Sequence, residues 1–305
     1  MTEVSMDIRK KNNRKNKILL LIFLFVIILS VGFPYCDLKY ENRILKTRLS
    51  NIKNEEEKFI HFSIDDVINI FEDIEKHHYD SIFENRTLNY LKKMHDLYGL
   101  KVSMYCFYAK GGFNLSMCSE KYKNQYEKNS SWLKFGFHAL DGNVDYNNLS
   151  MKQSIRDFNL VMTNLSRIVG EKSIDNVIRI HQYHAKEGFV SFLSKNGVEG
   201  LLSPDDERFA YYLDSTKSSY IRQFDYYNDK LNCMMFYQTD VRLEQVKSVN
   251  EKLTKILNDS LIGRQINIFT HEWLIDLRFK GWKMKRKIKE VCEFAVNSNY
   301  EFVFL

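Results

Sequence analysis

The chain is poor in the residues that break a fold or staple it. Only two prolines and 12 glycines occur in 305 residues, which excludes a collagen-like or low-complexity polymer. Five cysteines are too few for a disulfide-built scaffold. Cys106 and Cys118 either pair across a loop in an oxidising compartment or remain buried thiols. A composition 44% hydrophobic and 28% charged excludes disorder. Excess charge is also scarce beyond the first 17 residues. That tail holds four Lys and two Arg against Glu3 and Asp7, so it carries +4 of the net +6. The remainder, 6 − 4 = +2, is too small for a general nucleic-acid footprint.

What is present is patterned. Residues Ile18–Tyr35 (ILLLIFLFVIILSVGFPY) carry no charge and are long enough to span a bilayer as a helix. The preceding basic tail, residues 1–17, predicts a cytoplasmic N-terminus. Ser30-Val31-Gly32 would serve as a signal cleavage site, but the apolar run is long for a signal peptide and favours an uncleaved anchor. Residues 36–57 read as a mixed-charge stalk with partial heptad spacing at Leu38, Leu45, Leu49 and Ile52. Everything beyond the anchor is then expected outside the cell membrane.

Residues 58–305 read as one domain of strands alternating with helices. Strands are predicted at 59–63, 102–107, 133–137, 177–180, 200–203, 234–238, 266–270 and 301–305. Helices are predicted at 88–98, 150–169, 185–196, 249–257 and 282–296. Ser150 and Gln153 form a capping box, and Gly99, Gly170 and Gly197 close helices. This alternation predicts an α/β layered fold or barrel.

The histidines separate into two groups. His77, His78 and His95 lie among charged residues on predicted helices and read as surface. His61 lies within a strand and reads as core or supporting. His138, His181, His184 and His271 all follow strands, as does the acid pair Asp65-Asp66. In parallel α/β folds the carboxyl ends of strands gather functional groups on one face. Adjacent carboxylates repel unless a cation or shared proton relieves them. Asp66 is alternatively an N-cap for a following helix.

In order and context these residues resemble the polysaccharide deacetylase family, the NodB-homology or carbohydrate esterase family 4 enzymes, over about residues 58–275. The family's opening T-F-D-D-G is met by Phe62-Ser63-Ile64-Asp65-Asp66-Val67. The resemblance implies a distorted (β/α) barrel, with Asp65 as catalytic base and Asp66 as metal ligand. The family's H-[ST]-x-x-H is met by His138 alone, because Gly142 stands four residues on. His184 is the first choice for the missing ligand, ahead of Asp141, with His181 and Asp145 as further candidates. Arg179, within Arg179-Ile180-His181-Gln182-Tyr183-His184, corresponds to the arginine that orients the base, and Asp240 to the acid that pairs with that arginine. His271, in Phe269-Thr270-His271-Glu272-Trp273, corresponds to the general acid. Tyr183, Trp273 and Asp206 are expected to meet the sugar, and Trp132 lies near the same motifs.

The implied reaction is removal of N-acetyl, or less readily O-acetyl, groups from a cell-surface or secreted polysaccharide. The implied cofactor is a divalent metal, zinc by the softness of an Asp-His-His set. Two other readings compete. One is a degenerate glycan-binding or assembly protein on the same fold. The other is a glycoside hydrolase pairing Asp65 or Asp66 with Glu272 or Asp206.

Overall fold

The computed structural model describes residues 57–258, 264–276 and 281–305. The basic tail, the expected membrane segment 18–35 and the stalk up to residue 56 lie outside the described residues. Among the described residues no helix is long and apolar enough to cross a membrane.

The central strand, β1 (Lys58–Val67), is buried along almost its whole length. Parallel strands covered on both faces read as continuous apolar runs. Helix α1 (Asn69–His77) follows it, and α2 (Arg86–Tyr98) leads to β2 (Val102–Phe107). A short hairpin, β3 (Ala109–Lys110) and β4 (Phe113–Asn114), and α3 (Lys123–Lys128) precede β5 (Leu133–Ala139). Helix α4 (Met151–Val169) begins at the predicted capping box and ends at Gly170. Then come β6 (Val177–Ile178), α5 (Glu187–Lys195), β7 (Gly200–Leu202), α6 (Ser215–Phe224), β8 (Tyr226–Asp229) and β9 (Met234–Tyr237). The chain closes with β10 (Val241–Arg242), α7 (Val249–Leu257), β11 (Gln265–His271), α8 (Glu272–Asp276), α9 (Gly281–Asn297) and β12 (Tyr300–Phe302). Asn85 caps α2 by accepting from the Thr87 and Leu88 amides.

One sheet runs β10-β11-β1-β2-β5, with β12 also on β1 and every pair parallel. A second runs β6-β7-β9-β8, of which only β8 is antiparallel. The sheets meet at two seams. At the first, Phe135 of β5 bridges Ile174, just before β6. A Cβ on Gly136 would lie 2.8 Å from Ile178 Cγ2, so glycine permits this approach. At the second, Asn267 of β11 donates to the Gln238 carbonyl at 2.6 Å, just after β9. The order β1-β2-β5-β6-β7-β9-β10-β11 is therefore that of a parallel barrel opened at both seams, in an α/β fold. β6 is shorter than expected because Arg179 and Ile180 leave the ladder at the first seam.

Ladder irregularities place the site. In β1, Asp65 pairs in register with His271 of β11. On its other side, the β1–β2 register shifts between Ile64 and Val67, where Asp66 takes a left-handed φ of 60°. The β2–β5 register likewise jumps from Cys106↔Phe137 to Phe107↔Ala139, leaving His138 as the extra residue. Bulges of this kind re-aim side chains at strand ends.

Candidate active site

Asp65 and Arg179 form a buried ion pair, Nη1 to Oδ1 at 2.8 Å. The same Nη1 reaches Ser63 Oγ at 2.9 Å, and Nη2 reaches Thr239 Oγ1 at 3.2 Å. The guanidinium also lies 4.2 Å from the Phe269 ring centroid. A side chain this large, held from several sides, fixes the Asp65 carboxylate. Removing one partner strands the other charge, so Arg179→Met should lower folding stability by about 3–5 kcal/mol. Chemical denaturation checks this, and a loss below about 1 kcal/mol, the range of an exposed pair, would contradict it.

Beside this pair three side chains that could ligate a metal converge, Asp66, His138 and His181. Asp66 Oδ1 lies 3.3 Å from His138 Nε2 and 3.9 Å from His181 Nδ1. The two imidazole nitrogens are 3.3 Å apart. His138 Nδ1 lies 2.5 Å from the Arg179 carbonyl, which can only accept, so that nitrogen carries the proton. Its Nε2 lone pair then faces Asp66 Oδ1, a buried oxygen without a hydrogen-bond partner. Burial, followed by the neighbouring His138, lowers the His181 pKa to about 4, so its ring stays neutral. Phe107 packs against both imidazoles, at 5.2 and 5.3 Å between centroids.

This donor set fits a divalent metal. A carboxylate and two neutral imidazoles are ordinary zinc ligands, and bonds of about 2.0–2.2 Å in a tetrahedron separate ligands by roughly 3.3–3.6 Å. A buried, unpartnered carboxylate oxygen facing the His138 lone pair is unfavourable without a cation or proton between them.

The structure places His181, not His184, in this cluster. His184 Nδ1 instead lies 2.9 Å from Asp145 Oδ1. Asp145 and Asp141 also accept backbone amides of their own turns, from Asn147 and Asn143. The backbone of Gly142, the position where the sequence motif lacks its second histidine, favours the protonated form of His181, against the stronger effects of burial and His138. Asp240 does not meet Arg179. In extended chain, neighbouring side chains point oppositely. Thr239 therefore faces the arginine, while Asp240 Oδ2 accepts the Asn267 amide at 2.7 Å. Asp240 lines a separate cavity of about 440 Å³ with Lys247, Lys252 and Lys255, and burial pushes its carboxyl up to about 8.

His271 closes the opposite side, with Nδ1 2.7 Å from Glu244 Oε1. Thr270 Oγ1 donates to Glu244 Oε2 at 3.1 Å. Burial alone would lower the His271 pKa. The Glu244 hydrogen bond, with the charges of Asp65, Glu244 and Asp66, outweighs it and raises the pKa above the ordinary value. Glu244, in the turn after β10, is a site residue that sequence reasoning missed.

Asp65, His138, Arg179, His181, Tyr183 and His271 line one open pocket of about 130 Å³, with Arg208, Arg242 and Phe269. Tyr183 is buried with φ of 60°. Asp206 is exposed and engages Arg208, 2.8 Å from its Nε, and Arg242 at 4.0 Å, so it reaches the pocket through those arginines. Arg242 pairs more closely with Asp205, at 2.5 Å. Trp273 is 45% exposed, with its ring 6.1 Å from that of His271. Trp132 is buried against His95 and is no sugar platform. His61 is a buried supporting residue, 3.3 Å from the Tyr105 hydroxyl.

No family model matches the sequence, and no curated protein matches it. Solved structures do match in fold. A Mycobacterium smegmatis protein described as a candidate polysaccharide deacetylase is 9% identical, covering 78% of this chain and 85% of that one, with a TM-score of 0.50. A 4-alpha-glucanotransferase from Thermococcus litoralis is 8% identical, with 81% of this chain covered and a TM-score of 0.53; the match spans 39% of that longer chain. The Bc1960 peptidoglycan N-acetylglucosamine deacetylase is 13% identical over 82% of this chain and 87% of its own, at a TM-score of 0.45. The resemblance to polysaccharide deacetylases holds at the level of fold, in divergent form.

Proposed function

We propose that the chain is a metal-dependent hydrolase that removes N-acetyl groups from a polysaccharide. One observation carries this reading. Two of three converged metal-type donors, His138 and His181, line one pocket with an arginine-held carboxylate, Asp65, and a carboxylate-held imidazole, His271, and the third donor, Asp66, follows Asp65 directly. Asp66, His138 and His181 would hold a divalent ion, zinc by the nature of the donors, which when bound polarises an acetyl carbonyl and acidifies a water.

The remaining chemistry belongs to the chain's own groups. Asp65 takes the proton of the attacking water as oxygen bonds to the acetyl carbon. Arg179 and Ser63 keep that carboxylate aimed. His271, protonated beforehand, gives its proton to the nitrogen as the C–N bond breaks, so acetate and the free amine leave. An amine departs poorly without such a proton, and Glu244 maintains the imidazolium. This favours N- over O-deacetylation. Of the partner carboxylates that the glycosidase reading names, Glu272 points into the start of α1 and Asp206 engages Arg208, so neither is free to pair with Asp65 or Asp66. A degenerate binding protein would have no use for three converged donors. The basic tail and apolar run 18–35 support an anchor that places this domain outside the cytoplasm.

Acetate release from an N-acetylated glycan oligomer tests the reading. Its pH profile adds a sharper expectation. The protonated His271 is needed, so activity falls as pH rises through its raised pKa. Glu244→Gln removes the group that stabilises the imidazolium, so the alkaline limb should move to lower pH. An unmoved limb in that variant would remove His271 as the acid.

A further inference from the structure

Glu272 follows the candidate general acid directly in sequence, yet its side chain serves another strand. It is buried to 1% exposure. Its carboxylate accepts the amides of Ile68 at 3.0 Å, Asn69 at 2.8 Å and Ile70 at 2.7 Å. These are the orphan donors at the start of α1. The N-cap residue itself, Ile68, offers no side-chain acceptor. A carboxylate some 200 residues away in sequence caps the helix in its place.

The capped amides begin two residues after Asp66. Asp66 is held at a φ of 60°, a left-handed conformation costly for a residue with a Cβ. Such a conformation persists only where the flanking chain is over-determined, and the chain leaving Asp66 is fixed by Glu272. The same carboxylate ties the end of β1 to the end of β11. There Asp65 and His271 stand in register.

We infer that Glu272 is a positioning residue: by clamping the 68–70 backbone it holds Asp66 in the conformation that aims its orphaned Oδ1 at His138 and His181. It touches neither substrate nor metal. The inference rests on the metal reading above, and its test separates the two.

Cobalt(II) affinity and thermal stability would be measured on the full chain for wild type, Glu272→Gln and Ser150→Ala. Ser150 caps α4, hydrogen-bonds Gln153 and Ser154 in that helix's first turn, and serves as a control for lost stability. Glutamine keeps the shape but turns an amide toward backbone donors. Glu272→Gln should weaken cobalt binding by about 10- to 100-fold, as loss of a ligand's supporting contacts does, and alter the cobalt absorption bands. Ser150→Ala should lower the melting temperature while leaving affinity and bands unchanged. If Glu272→Gln does not fold, Glu272→Asp, a shorter carboxylate, should fold and show intermediate weakening. Unchanged cobalt affinity in the Glu272 variant, with reduced stability, would make the residue a helix cap only and overturn the inference. A wild type that takes up no cobalt would overturn the metal reading beneath it, and shows in the wild type alone.

Discussion

His181→Ala is expected to lose metal binding, weakening zinc affinity by more than about 100-fold, beyond the usual cost of losing a supporting contact. His138→Ala should do the same. His184→Ala should leave zinc content unchanged, because its ring lies against Asp145 and not within the cluster. Metal content by mass spectrometry, on protein without a histidine tag, checks all three. The contrast between two histidines three residues apart makes the test demanding. Loss of metal in His184→Ala with retention in His181→Ala would refute the proposed ligand set. The expected result would also show how the motif's gap at Gly142 is met. The second imidazole, His181, comes from the segment that follows β6.

Asp65→Asn should reduce acetate release by about 100- to 10,000-fold, the range for loss of a positioned acid or base. Zinc affinity should stay near that of wild type, because Asp65 is not among the three converged donors. The two readouts separate a base from a ligand. A variant that loses its metal would make Asp65 a ligand, and one that keeps its rate would remove it from catalysis. Asparagine also leaves Arg179 without its counter-charge, so some loss of stability is expected. Rates should be compared only where circular dichroism shows a folded protein.

The strand ends were largely legible in the sequence. Val102–Phe107 and Val249–Leu257 form at the expected bounds, and the Ser150–Gln153 capping box starts α4 where the motif puts it. Asp65, Asp66, His138, Arg179 and His271 gather on one face because parallel strands align their carboxyl ends. What the sequence could not resolve was which neighbour points inward. His181 and His184 both follow β6, and the choice between them depends on two consecutive left-handed residues, Gln182 and Tyr183, at φ of 59° and 60°. Neither is glycine, so no local signal marks the turn. Thr239 and Asp240 pose the same problem in extended chain, where a shift of one residue exchanges faces. Glu244 escaped notice because its partner lies 27 residues away and no motif links the two. Only the competing glycosidase reading gives Glu272 a role, as a partner carboxylate for Asp65 or Asp66. Its role at α1 depends on a contact across about 200 residues that periodicity does not encode. The missing histidine at Gly142 was the one usable signal, since an incomplete ligand set asks for a donor from elsewhere.

The most direct measurement is acetate release from an N-acetylated glycan oligomer by chelator-stripped protein, before and after one equivalent of zinc. The structure predicts no release from the stripped protein and restored release with zinc, lost again in His181→Ala. Release that is indifferent to chelator and zinc, or a zinc-loaded protein that frees no acetate from any N-acetylated glycan, would contradict a metal-dependent deacetylase.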